Sequence, residues 1–282
     1  MQAASVADTA KAKFTNFRGG DVSTKVLVTG KAGDAGSFEL KFHRLTGGFE
    51  TPRHRHNFEQ IRWVFEGKWT LGKGKYLNTN EVGYWTEGVH YGGPAEEDIV
   101  AMSVQFGGPS GFGILTYEQL ENGRAELSRN GAFVEGIYTW VDSEGRKHNR
   151  DGYEAIWELC NKKGIHYPTP PRYSDVIVIH PGSCAPRDAA PGVRVRHLGS
   201  FSEGFTAIRH VEADKGARIE LGHERQTALM FLRTGVLRDD DRPYPELTGF
   251  HCVPGERQAF TVDEPAELLQ ITLPDISHIN AS

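Results

Sequence analysis

Apolar and polar residues alternate along SFELKFHRL, where Phe38, Leu40 and Phe42 are separated by Glu39 and Lys41. A period of two sends successive side chains to opposite faces of an extended chain, so this run predicts a strand with one buried face. The pattern returns in KVLVTG, IRWVFEGKWTL, EVGYW and IVAMSVQF, each run bounded by Gly, Asn or Pro in the manner of antiparallel strands at short spacing. Together they predict one β-barrel over 23–110, preceded by a loose arm over 1–22. From Leu115 the texture changes. LTYEQLENGRAELSRNG holds helix formers and a Gly stop, and RDGYEAIWELCNKKG carries Tyr153, Ile156, Trp157 and Cys160 at helical spacing. These runs predict a helical connector over 111–173, with a short strand FVEGIYTWV inside it. It ends in the linker YPTPPRYSD, where Pro168, Pro170 and Pro171 forbid regular structure. A second strand-rich half over 174–282 runs through VIVIH, VRVRHLG, GFTAIRHVEA, ARIEL, TALMFLRTGVL, FHCVPG and AELLQITLP. The expected fold is therefore all-β, in two copies of one arrangement rather than a solenoid of short repeats.

Composition agrees with this picture and narrows the function. The 33 Gly and 14 Pro among 282 residues supply turns and interrupt ladders. A formal charge of -5 leaves no broad basic field for nucleic acid or an anionic membrane. No segment approaches the roughly 20 apolar residues of a membrane span, and MQAASVADTAKAKF lacks a continuous apolar stretch, so the expectation is a cytoplasmic protein. Cys160, Cys184 and Cys252 are scattered, without a CxxC pair, and read as reduced thiols.

The chemistry is concentrated in GGFETPRHRHNFEQIRWVFEG, residues 47–67, followed by NEVGYWTEGVH, residues 80–90. Two histidines one residue apart on a strand share a face, so His54 and His56 can meet one ion. At this point the sequence resembles the cupin superfamily: Gly, then His-x-His, then a strand ending in Gly67, with a second motif around Gly83 and His90. The resemblance implies two jelly-roll-like cupin barrels joined by the helical segment, with His90 completing a metal site inside the first. The place usually held by that family's glutamate is occupied by Gln60, a weaker, neutral donor, so the expectation is a three-His site with Gln60 nearby or weakly bound. One divalent ion is implied, Fe(II) ahead of Mn, Ni, Zn or Cu.

His54-Arg55-His56, Arg62 and Glu66-Gly67 are similar in spacing to the motif of gentisate and salicylate ring-cleaving dioxygenases. That likeness implies a metal-dependent dioxygenase acting on a small hydroxylated aromatic or enolisable carboxylic acid, with O2 as co-substrate. A metal-dependent isomerase or lyase, or a non-catalytic small-molecule-binding barrel, is the alternative. Arg62 shares the inward parity of Gln60 and is assigned to the substrate carboxylate, an ion pair with Glu66 being the structural alternative. In the second half the corresponding places hold Gly222, Glu224, Ala228 and Gln258, which make no complete metal site. The remaining histidines, His43 among them, are read as ordinary polar residues. Exposed strand edges make a homo-oligomer the expected assembly.

Overall fold

A computed structural model describes residues 1–12, 22–31, 36–108, 110–111, 113–201, 205–240 and 242–274. It is an all-β molecule. The first half is built on a six-stranded antiparallel sheet in the order Ile177–Ile179, Val82–Trp85, Glu59–Glu66, Ile99–Phe106, Phe38–Leu45, Val22–Thr29. Two ribbons, Glu50–His54 with Tyr91–Pro94 and Trp69–Gly72 with Lys75–Leu77, lie over its inner face. The second half is a nine-stranded sheet whose longest strand, Arg257–Thr272, pairs with Ala228–Arg238 and Thr206–Ala213.

The sequence predicted a half-buried first sheet, but both of its faces are buried. Leu40, Phe42, Ile61, Trp63, Met102 and Val104 face the second half and form one core with Ile208, Leu229, Phe231 and Leu269. Phe65 stacks on Phe231 at 5.6 Å and Tyr84 on Phe201 at 4.3 Å across this joint. The alternating polar residues Lys41, His43, Gln60 and Arg62 are also buried, because they face an enclosed interior. Period-two alternation reports the two faces; it does not report whether the polar one meets bulk water.

Both ends of the predicted division differ from the structure. Gln2–Ser5, expected in a loose arm, is a strand paired to Thr248–Cys252 of the second half; positions 13–21 of that arm lie outside the described residues. Ile177–Ile179, expected in the second half, instead pairs with Val82–Trp85 and edges the first sheet. The connector contains the two expected helices, α1 (Tyr117–Leu127) and α2 (Gly152–Asn161). Thr116 closes a capping box with Gln119 at the start of α1, and Asp151 caps α2. Between them stands a three-stranded sheet, Gly131–Val134, Ile137–Val141 and Lys147–Asp151, where one short strand was expected. The linker over 167–175 has no helix or strand. No helix among the described residues is long and apolar enough to cross a membrane.

At the joint, Glu59 faces away from the interior and is fully buried. Burial pushes its carboxyl up to about 8, opposed by Tyr84, reinforced by Glu87 and opposed by Arg172. In the unfolded chain the same group ionises near 4.5. Stability from the neutral buried form is therefore complete below that value and lost as pH rises toward 8. Glu59→Gln should raise the melting temperature by several degrees at pH 8.5 and leave it nearly unchanged at pH 4; an equal shift at both would show that ionisation is not involved.

Candidate functional site

Between the first sheet and its ribbons lies a cavity of about 170 Å³, lined by His54, His56, Arg62, Tyr91, Lys41 and His43 among others. His54 and His56 do share a face, as their spacing required: their rings meet edge to face at 4.8 Å. His54 Nδ1 donates to the Pro52 carbonyl at 2.7 Å, which fixes that ring.

His90 is not brought to the pair, a correction to the sequence reading. It is exposed and lines a separate outer cleft with Arg53, Lys75 and Asp175. Tyr91 takes the inward place, because it stands directly opposite His54 in the ribbon and cross-strand partners share a face. Its ring is 4.4 Å from that of His54. Parity could not be carried from Gly83, since regular strand stops at Trp85 and Gly88 turns the chain at φ 79° while donating its N–H to the His56 carbonyl.

Gln60 faces the interior as expected, but its amide oxygen already accepts from Arg62 Nη2 at 2.9 Å and Gln105 Nε2 at 3.0 Å. Both lone pairs are thereby used within the protein. His43, passed over in the sequence, bridges Thr24 at 2.9 Å through Nδ1 and Ser103 at 2.6 Å through Nε2. Burial, then the charges of Lys41 and Arg62, hold its pKa well below the ordinary value. Among the described residues no three His, Cys, Asp or Glu side chains are grouped to hold a metal ion. Two imidazoles, an amide whose oxygen is engaged and a neighbouring guanidinium do not fit the three-His centre inferred from the motif.

What the interior offers is a fixed cation. Arg62 is 6% exposed, lies over Trp69 at 4.0 Å and Trp85 at 4.8 Å, and donates through Nη2 to Gln60 and Tyr91. Nε and Nη1 make no hydrogen bond among the described residues. The ion pair with Glu66 is not formed: Glu66 is exposed, and no described carboxylate pairs with Arg62. Burial lowers its pKa from the ordinary value, yet a guanidinium keeps its charge inside proteins. Lys41, also inward, donates to Glu39 at 2.8 Å and Gln105 at 2.5 Å. The connector adds a wall: Tyr153 of α2 donates to Asn57 at 3.1 Å and sets its ring edge-on to His56 at 4.9 Å. Neither Tyr91 nor Tyr153 was singled out from the sequence for the site; the signal for Tyr91 is its position three residues after Gly88, and for Tyr153 there is none.

No protein-family model and no curated protein matches the sequence. Solved structures do. A candidate dioxygenase from Nostoc punctiforme superposes with a TM-score of 0.63 at 12% identity, over 98% of this chain and 83% of that one. An oxalate decarboxylase variant from Bacillus subtilis gives 0.56 at 13%, over 98% and 78%. The Lactobacillus farciminis oxalate decarboxylase, in a formate complex, gives 0.56 at 12%, over 98% and 87%. At such identities the likeness is one of fold, and by that likeness and its own topology the chain is an all-β protein with the cupin fold.

Proposed function

We propose that the chain is an enzyme acting on a small carboxylic acid bound in the first-half cavity. The observation that carries this is Arg62: a buried guanidinium with, among the described residues, two nitrogens lacking partners and no carboxylate paired to it. An uncompensated buried charge is costly, and a ligand carboxylate would neutralise it through charge-assisted hydrogen bonding. His54 and His56 stand in the same cavity and are assigned to proton transfer on the bound acid. The names of the structural neighbours support an enzyme, and oxalate is itself a small carboxylic acid.

The test is turnover of a panel of small acids by the wild-type protein and by Arg62→Met. Charge-assisted bonds are worth roughly 1.5–3 kcal/mol, so kcat/KM should fall about ten- to a hundredfold. The melting temperature should hold or rise, since an isosteric apolar chain between two tryptophans removes an uncompensated charge. Unchanged turnover with lowered stability would make Arg62 structural and sink the proposal.

A second reading, an iron(II) dioxygenase acting on a hydroxylated aromatic or enolisable acid, is favoured by the His54–His56 pair alone. Metal content after purification without oxygen, together with oxygen uptake on such acids, separates it from the first.

A further inference from the structure

We infer that the cavity selects a monocarboxylate with an apolar body and rejects dicarboxylates of similar size. This rests on the carboxylate reading of Arg62 and adds to it a count of charge. Leaving the imidazoles of His54 and His56 aside, two charged side chains line the cavity among the described residues, Arg62 and Lys41, and Glu39 pairs with Lys41. Lys41 and Glu39 are 3% and 6% exposed and bonded to each other, so they cancel. Burial alone would lower the Lys41 pKa, but the Glu39 carboxylate outweighs it and leaves the ammonium above its ordinary value. His43 adds nothing, because burial keeps it neutral and both its nitrogens are bridged to hydroxyls. One positive charge therefore remains, on Arg62.

The hydrogen bonds agree with the count. Arg62 keeps Nε and Nη1 without hydrogen-bond partners among the described residues, so it can still donate to one carboxylate. Lys41 spends donors on Glu39 and Gln105, and Gln105 in turn donates to Gln60, which accepts from Arg62. A second ligand carboxylate at Lys41 would have to share its one positive charge with Glu39, leaving an uncompensated negative charge in the interior. Much of the remaining wall is apolar, with Leu45, Phe49, Phe58, Leu115 and Leu120. A dianion would set its second charge against these side chains, whereas an alkyl body would bury there favourably. The preferred ligand thus differs from oxalate, the acid named for two of the structural neighbours.

Calorimetric titration of the full chain with 3-methylbutanoate, its uncharged amide 3-methylbutanamide, and malonate tests this, in wild type and in Arg62→Met. The expected result is that 3-methylbutanoate binds wild type at least about tenfold more tightly than either other compound, because each lacks or exceeds the single charge the site balances. Its affinity should fall at least about tenfold in Arg62→Met. Malonate binding as tightly as 3-methylbutanoate, with both weakened in Arg62→Met, would overturn the monocarboxylate inference and leave the carboxylate site standing. Equal binding of acid and amide, affinity unaltered in Arg62→Met, or no binding of either acid would overturn both. Should Arg62→Met fail to fold, the acid, amide and malonate comparison on wild type decides alone.

Discussion

Turnover in His54→Ala and in His56→Ala is expected to fall about a hundredfold or more, the usual contribution of a positioned acid or base, whereas His90→Ala keeps the wild-type rate. The motif alone would make all three equivalent. The structure separates them: His54 and His56 line the interior with Arg62 and Tyr91, while His90 lies in an outer cleft. Its pKa is lowered by burial and by Arg55 and Arg53, opposed by Glu154. The measurement is kcat on the best acid of the panel, with metal content recorded for each variant. Equal losses of activity and of metal in all three would restore the three-imidazole centre and refute the separation drawn here.

Gly67→Ala is expected to cost about 3 kcal/mol or more, roughly a 5 °C drop in melting temperature for a chain of this size. Gly67 ends the strand that carries Gln60 and Arg62 and sits at φ 72°, where a side chain is strained. A Cβ there would also fall 2.1 Å from the Asp98 carbonyl oxygen, which belongs to backbone and cannot swing aside. Gly72→Ala is the control, because nothing lies within 4 Å of its Cβ position. Thermal denaturation of both variants checks the pair, and a Gly67→Ala protein as stable as Gly72→Ala would show that the strand end can be rebuilt.

The principal strands of both halves and both helices were legible because each depends on local periodicity, and the meeting of His54 and His56 because they are one residue apart. Gly67 was legible as the residue ending a strand. What was not legible depended on breaks in that periodicity or on long-range pairing. Counting from Gly83 selected His90, but the turn over 86–90 resets the alternation and delivers Tyr91. Gln60 and Arg62 were aimed inward, yet nothing in their neighbourhood announces that Gln105, 45 residues away in sequence, already occupies the Gln60 oxygen. His43 and Lys41 read as the polar face of an ordinary strand; only the covering ribbons make that face an interior.

The two halves trade edges: Gln2–Ser5, at the start of the chain, completes the second sheet, and Ile177–Ile179, beyond the linker, completes the first. Each half therefore depends on a stretch of chain encoded outside its own span. Cutting the gene at the linker would strip an outer strand from both products and bare the shared aromatic joint, leaving two adhesive fragments. The halves are therefore not portable parts, and recombination can move them only together.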